Sequence, residues 1–578
     1  MSRKFSASEG PGQWSPQLGF ALAATSKHEQ AQAWHCVSRG RMSRGTSPQF
    51  GCLLAKIGIS PWHSSCRVPG QAIMRVVERR RTAGPRLGAI PERPFPEGDV
   101  PDPSPTFVLR LWGVVRANRA WLFLAICLLP FWIYKLRDLP LPFFWDELGV
   151  YGRAAVYMHD HGLGLLPSNL PPDLSRGHPL LLPFVFGFLF RVFGATPLVA
   201  HVCMLLVSTG LVVSVFWIAR EHWNSAVGLA AAGLLLAQPL FLAQSTLLLP
   251  EIPLALTCLW AMHAFSREKF LQAGFFIGLA IFLKETAVVL ACALAVLLIA
   301  QWLRARPSLK SAIGGIMALV GPGVLYGIFL LIQKHQNGWY LYPFHENQVN
   351  FHWSAMKGTL VDCVSAVFVE QGRLALSVIV ALWISFRLLG RREGERRFVP
   401  SVAWSFAVFA IGVLVFSAGN VFMKRYLLCL LPPLAILSSR ALFELVRDQT
   451  KVLVPATLGL GLLCLGDLTS PRFNCAYDMS FRQSVLLQQE ATQYLGNTVG
   501  PDKAILANFP TVFGLEDPRY GYTPEKFNRS SYRYSSEAEY IFANEIYDHF
   551  TPPAGVRTEL MKRFSSPYMN IALYRILR

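Results

Sequence analysis

The sequence reads as an all-α polytopic membrane protein that carries a small α/β domain at its C-terminal end. Three observations lead there. Apolar runs recur from about Ala120 to Gly466, many of them near the roughly 20 residues a helix needs to cross the hydrocarbon core of a bilayer. Lys and Arg gather in short stretches between those runs, as charges that set membrane orientation do. After Gly466 the chain turns polar, with short alternating fragments. Composition agrees: 52% of residues are hydrophobic and 15% charged, with mean hydropathy +0.35. The formal net charge of +19 is placed in loops, so the counter-charge it implies is the anionic head groups of membrane lipids and not a nucleic acid.

Residues 1–105 differ from the rest. They are rich in Ser, Gly, Pro, Arg and Gln without a sustained period, which predicts a disordered basic region. Arg75 to Arg81 together with Arg86 suit a cytoplasmic membrane surface, and the apolar patch Phe20 to Ala24 is too short for a signal peptide. Met42 or Met74 would serve as a later start. The absence of a eukaryotic targeting signal favours a bacterial inner membrane.

The membrane domain is expected over 106–467. Its first span is about Ala120 to Tyr134, preceded by Arg110, Arg116 and Arg119, which puts the N-terminus inside. The loop from Lys135 to Pro179 is then outside and holds a short amphipathic helix from Leu148 to Met158. Leu180 to Phe193 is apolar but short and interrupted by Pro183, so it is expected to lie in the outer interface. Spans follow at about 199–219, 226–245, 252–266, 270–283, 286–303, 311–332, 374–389, 399–418, 426–443 and 452–467. This makes eleven, and the inside loops then carry Arg220, Arg267 with Lys269, Arg304 to Lys310, Arg387 to Arg397, and Arg440 to Lys451. Treating Leu180 to Phe193 as a span inverts every later loop and moves those clusters outside, against the positive-inside tendency. Residues 468–578 form the outer α/β domain, with a helix over Gln483 to Tyr494, strands near Ala504 to Ala507 and Ile571 to Tyr574, and turns at Pro501-Asp502 and Pro552-Pro553.

The topology brings several ionisable pieces to one face. The first is Asp146-Glu147, which follows Phe143-Phe144-Trp145 at the exit of the first span. A carboxylate pair there is a candidate general base and its helper. Joining it are Gly177-His178-Pro179, Pro250-Glu251, Lys284-Glu285, the loop 333–373 and Lys424-Arg425-Tyr426. Charges at span ends are costly unless hydrated, paired or functional.

Each piece has a structural reading beside the functional one. Glu147 holds a metal or tunes Asp146, or is a solvated helix-start acid. His178, fixed in extended geometry by Pro179, orients a phosphate or a carboxylate, or sits at a helix start. Lys284 binds a phosphate as a point charge, or neutralises Glu285. Arg425 with Tyr426 forms a second phosphate clamp, or an interfacial anchor. Glu251 faces a wet cavity as a sugar or acceptor contact, or marks the end of a span; His345 and Glu346 contact a sugar or an acceptor beside Trp339, Tyr340 and Tyr342, or belong to an aromatic belt. No Cys/His spacing predicts a metal site, although a divalent metal stays open as a cofactor. Cys363 and Cys475 lie on outer segments and are able to pair.

The order and spacing of these pieces over about 115–470 resemble the GT-C glycosyltransferases, in the branch of the protein O-mannosyltransferases and the lipid A aminoarabinose transferase. The resemblance implies a polyprenyl-phosphate sugar donor, transfer on the extracytoplasmic face and inversion at the sugar carbon. It implies that Asp146 is the catalytic acid residue, Glu147 its neighbour and His178 the histidine of a His-Pro-Pro-Leu motif. Lys284 and Arg425-Tyr426 would take the donor phosphate. Two positions depart: Leu180 replaces the second proline, and His201 stands where many members have Arg. The alternative classes are a flippase or transporter of a lipid-linked glycan, which would place charges near mid-membrane, and a non-catalytic assembly protein. The sugar and the acceptor are not legible.

Overall fold

A computed structural model describes residues 118–305, 308–389, 401–420, 423–466, 477–545, 552, 555–567 and 569–578. The expected basic N-terminal region and Cys475 lie outside the described residues; Cys363 is buried. The fold is a helical bundle joined to a five-stranded mixed sheet.

Among the described residues, each span expected from the sequence falls largely on helix. The first is Arg119–Lys135, which exposes Leu122, Phe123, Ile126, Leu129 and Ile133 on one side while burying Leu124 and Phe131. A stripe of large apolar side chains facing outward is what a lipid solvent permits and water does not. By length and composition, four helices among the described residues are able to cross a membrane: Pro197–His222, Glu285–Arg304, Ala312–Asn337 and Lys424–Leu445. Trp353–Phe368 and Arg373–Arg387, bent by 85° at their break, would add a fifth. Ser225–Leu236, Phe270–Leu283, Ala403–Ala418 and Thr450–Leu465 are apolar but shorter, as is Leu181–Phe193, the segment expected at the interface.

The eleven expected spans are therefore less uniform than the sequence suggests. The expected span 226–245 is two helices, Ser225–Leu236 and Pro239–Gln244, because Pro239 cannot donate to the preceding turn. Phe270–Leu283 stops at Lys284, which adopts extended backbone before the next helix starts. Broken helices at membrane depth persist where the freed backbone is buried in protein or lines a polar cavity. The expected outer loop 333–373 also contains a helix, Trp353–Phe368.

The core of the bundle is built around Glu251–Ser266. It packs on Phe270–Leu283, on Pro197–His222 and on the 3-10 turn Lys424–Leu430. Phe270–Leu283 in turn meets Leu309–Asn337 at Gly274, where a Cβ would stand 2.0 Å from the carbonyl oxygen of Ala318. This is the close helix approach that small residues allow in membranes.

The C-terminal domain holds five strands, β1 (Ile505–Ala507), β2 (Ser530–Ser531), β3 (Tyr540–Asn544), β4 (Arg557–Ser566) and β5 (Met569–Leu577), in the order β2-β1-β3-β5-β4. β1 runs parallel to β2 and to β3; β5 runs antiparallel to β3 and to β4. The helix Phe481–Thr498 covers β4 and β5. Polar contacts tie the domain to the bundle. Asp138, at the end of the first helix, meets both Lys135 and Arg482, and Arg482 Nη2 also donates to Tyr134 O at 3.0 Å. Arg519 grips Asp160 through two contacts of 2.9 Å each. Phe143 N donates to Tyr520 O at 3.2 Å, and Phe144 packs on Phe481 with ring centroids 6.0 Å apart. The aromatic run before the acid pair thus joins bundle to sheet domain.

Candidate active site

The two acids of Asp146-Glu147 do not act as a pair. Trp145 holds φ at +54°, a left-handed conformation that costs a non-glycine residue on the order of 1–3 kcal/mol. The chain then enters a π-helical turn, Glu147–Tyr151. Neighbouring side chains in a helical turn point apart, and the two carboxylates take separate environments.

Glu147 is fully buried. Its Oε2 accepts from Phe144 N at 3.0 Å, and its Oε1 contacts His201 Nε2 at 3.2 Å and accepts from the amide of Leu248. The other nitrogen of His201 faces Leu139 O at 3.2 Å. Both ring nitrogens thus face oxygen atoms. His201, one of the two departures noted in the sequence, is the partner of Glu147. Together they clamp the exit of the first helix to the segment before Glu251.

Asp146 faces the other way, into a cluster of charges. Its Oδ2 is bound by Arg425 Nη2. Arg425 is 2% exposed and its Nε lies 3.4 Å from Glu251 Oε1, an electrostatic contact too skewed for a hydrogen bond. Lys284 Nζ donates to the same Glu251 oxygen at 2.9 Å and stands 3.4 Å above the centroid of the Tyr426 ring. The result is a chain, Asp146–Arg425–Glu251–Lys284, buried except at the partly exposed Asp146 and roofed by Tyr426. Four separated stretches supply it: the residue leading into the π turn, the start of Glu251–Ser266, the residue that follows Phe270–Leu283, and the 3-10 turn Lys424–Leu430. Lys424, adjacent to Arg425, leaves the cluster and bonds both oxygens of Glu370 at 2.8 and 2.7 Å.

Beside this chain lies a second group. His178 Nδ1 is 3.3 Å from Glu285 Oε2. Its ring stands 6.0 Å from that of Tyr151 and 5.1 Å from that of His345. Lys284 and Glu285 thus take different hydrogen-bond partners, Glu251 and His178. Burial first, and the neighbouring His178 next, hold the His345 imidazole down at about 4. Arg176 joins from the loop, its guanidinium 4.2 Å from the ring centroid of Phe509 in the C-terminal domain. Burial lowers its affinity for a proton, with Asp146 as the leading charge that opposes the shift. Glu346, also expected at the site, is exposed and forms no ion pair or side-chain hydrogen bond among the described residues.

Four polar atoms in these two groups are buried without a hydrogen-bond partner: Glu251 Oε2, Arg425 Nε, Arg176 Nε and His345 Nε2. Buried donors and acceptors are nearly always satisfied, and leaving one unmade costs about 1–3 kcal/mol. These unpaired atoms gather around three cations, Arg425, Lys284 and Arg176, and three carboxylates, Asp146, Glu251 and Glu285. Among the described residues, no three His, Cys, Asp or Glu side chains converge in a way that would hold a metal ion: Arg425 occupies Asp146, and His201 and two amides occupy Glu147. A cavity of about 780 Å³, lined by Trp217, Trp260, His263 and Arg267, lies at the far ends of Glu251–Ser266 and Phe270–Leu283, away from these groups.

Arg176, Glu285, Tyr151 and Glu370 were not singled out as site residues. Glu285 had a signal, its place beside Lys284 in an apolar stretch. Arg176 had another, directly before Gly177-His178. Tyr151 and Glu370 had none short of the fold.

With this geometry in view, the comparisons with known proteins are specific in fold. Residues 177–326 match the family described as dolichyl-phosphate-mannose-protein mannosyltransferase. That segment holds His178, Glu251, Lys284 and Glu285; Asp146 and Arg425 lie outside it. No curated protein matches the chain in sequence. The crystal structure of ArnT from Cupriavidus metallidurans bound to undecaprenyl phosphate is similar, with TM-score 0.51 and 13% identity over 79% of this chain and 98% of that one. The apo form of the same protein gives TM-score 0.49 at 13% identity, over 81% of this chain and 98% of that one. The archaeal oligosaccharyltransferase AglB from Archaeoglobus fulgidus, in complex with an inhibitory peptide and a dolichol-phosphate, gives TM-score 0.42 at 13% identity, over 74% of this chain and 70% of that one. The chain thus has a largely helical fold similar to that of ArnT, with several helices apolar and long enough to cross a membrane and a small C-terminal mixed sheet, and its residues 177–326 match the mannosyltransferase family model.

Proposed function

We propose that the protein is a membrane glycosyltransferase that moves a sugar from a polyprenyl-phosphate-linked donor to an acceptor, with inversion, on the extracytoplasmic face of a bacterial inner membrane. The observation that carries this reading is the chain of charges Asp146–Arg425–Glu251–Lys284, buried from Arg425 to Lys284. A glycosyl phosphate breaks to leave a phosphate whose charge rises as the bond to the sugar opens. Cations already fixed in a water-poor site stabilise that charge without reorganising. Arg425 is suited to two-point contact with phosphate oxygens and Lys284 to a point contact. Their present partners, Asp146 and Glu251, keep them in place until a phosphate competes for them. The fold supports the reading, because the ArnT structure of that fold holds undecaprenyl phosphate.

In this scheme Arg425 turns from Asp146 to the phosphate and frees a carboxylate beside the sugar carbon, where it orients the incoming acceptor. Glu251 stays behind as the counter-ion that keeps two cations tolerable in a buried place. Glu147 acts at one remove, by fixing the turn that aims Asp146.

The test is sugar transfer from a polyprenyl-phosphate donor by the purified protein in lipid nanodiscs, with the Asp146→Asn variant beside it. Transfer by the wild type, lost in the variant while its unfolding temperature is kept, supports the reading. Equal transfer by a folded Asp146→Asn protein rejects the role given to Asp146. Movement of a lipid-linked glycan across the membrane with no covalent product rejects the transferase.

A further inference from the structure

The carboxylates around the site differ in how they are occupied. Asp146 is bound to Arg425, Glu251 to Lys284 and Arg425, and Glu147 to His201 and two amides. Glu147 is closed off by its amides, whereas Glu285 meets the partly exposed imidazole of His178, through the 3.3 Å contact to His178 Nδ1 across 107 residues of chain. An acceptor hydroxyl must lose its proton during transfer, and an acid held by a guanidinium has fewer lone pairs to offer it.

The placement of His178 is over-determined. Gly177 takes φ +75°, and a Cβ there would stand 3.1 Å from the Trp339 ring. His178 N donates to Ser175 O at 2.9 Å, and Pro179 restricts the backbone on the other side. Tyr151 and His345 flank the ring. With its Nδ1–H given to a carboxylate, an imidazole carries its free lone pair on Nε2. His178 Nε2 has no hydrogen-bond partner among the described residues, and the ring keeps 19% exposure, so the lone pair is reachable.

We infer that His178 accepts the acceptor's proton through Nε2, with Glu285 as the positioning residue that fixes its tautomer and supports the imidazolium. This inference rests on the transferase reading above. The step balances as follows. The acceptor O–H proton passes to His178 Nε2 while the acceptor oxygen forms its bond to the sugar carbon. The bond from that carbon to the phosphate oxygen breaks, and its electron pair stays on the phosphate, opposite Arg425 and Lys284. The imidazolium then returns its proton to water. The titratable and charged groups that face the ring are Glu285 after Phe270–Leu283, Tyr151 in the π turn and His345 in the loop; Lys284, Asp146, Arg176 and Tyr326 surround that set.

Two measurements test it. The first is carbethoxylation of His178 by diethylpyrocarbonate against pH, read by peptide mass spectrometry on the full-length protein. Only the neutral ring reacts, so the midpoint reports its titration. In Glu285→Gln the midpoint is expected to fall by about one to three pH units, the effect of removing one close opposite charge. An unmoved midpoint overturns the dyad whether or not transfer is ever observed. The second is the pH profile of transfer. Glu285→Gln is expected to shift the acid limb of kcat to lower pH with the KM for donor unchanged. His178→Gln is expected to lower kcat by about 10²–10⁴-fold while still binding undecaprenyl phosphate, which shows that it is folded. An acid limb unchanged in both variants assigns the proton to a carboxylate and overturns the inference. A moved carbethoxylation midpoint with no transfer by the wild type leaves the dyad in place but removes both its catalytic role and the transferase reading.

Discussion

Lys284 has two roles in this account, and one pair of variants separates them. It neutralises buried Glu251 across 2.9 Å, and it waits for a donor phosphate. Lys284→Met keeps the length of the side chain and removes the charge. Glu251 then retains only the skewed contact to Arg425, in a place where it is 2% exposed. Breaking one partner of a buried ion pair costs about 3–5 kcal/mol, so the variant should unfold at a much lower temperature. Glu251→Gln added to it removes the stranded charge and should recover most of that loss, since replacing a buried pair by neutral groups of similar volume is often close to neutral. Donor binding should not recover. A hydrogen bond to a charged group contributes about 1.5–3 kcal/mol, so affinity for undecaprenyl phosphate should stay roughly ten- to a hundredfold weak in the double variant. The assay is thermal unfolding in detergent together with lipid-phosphate binding by native mass spectrometry. A double variant that regains both stability and wild-type affinity would refute the reasoning and make Lys284 a counter-ion only.

Other expectations follow from the same contacts. Arg519 holds the Asp160 carboxyl down at about 2, chiefly through their hydrogen bonds. Its contribution is therefore complete above pH about 4 and is lost as pH falls through about 2. The pair is a third exposed, so Asp160→Asn should cost under about 1 kcal/mol at pH 7 and nothing near pH 1 in a denaturation series. The His345 imidazole, held at about 4, binds protons more readily when unfolded, so acid destabilises the protein as pH falls from about 6.5 towards 4. His345→Gln should flatten that part of the stability profile. Gly274→Ala sets a methyl against the Ala318 carbonyl and should lower stability by about 1–3 kcal/mol, because the helix bearing Lys284 must move; unchanged thermal unfolding would deny the close approach.

The sequence made the helical bundle legible because apolar length is a strong signal, and the polar tail after Gly466 marked the sheet domain. What stayed hidden were breaks inside the apolar runs. Trp353–Phe368 carries Lys357 and Asp362 and so hides among polar loop sequence, yet it folds as a helix. The site was legible as a set of charges but not as a set of partners. Asp146 and Glu147, Lys284 and Glu285, and Lys424 and Arg425 each look like a pair in sequence. In the structure every one of them divides, because side chains at adjacent positions leave a helical or extended backbone in different directions. The true partners lie far apart in the chain: Asp146 with Arg425, Glu251 with Lys284, His178 with Glu285 and Glu147 with His201. Such pairings exist only after the helices pack, and no local pattern announces them.

The most direct measurement is a cryo-electron microscopy map of the protein with a non-hydrolysable polyprenyl-phosphate sugar. Phosphate density between Lys284 and Arg425, with the sugar beside Asp146 and His178, is the result expected. Phosphate held at the far ends of Glu251–Ser266 and Phe270–Leu283, with the Asp146–Arg425 contact intact, would contradict it.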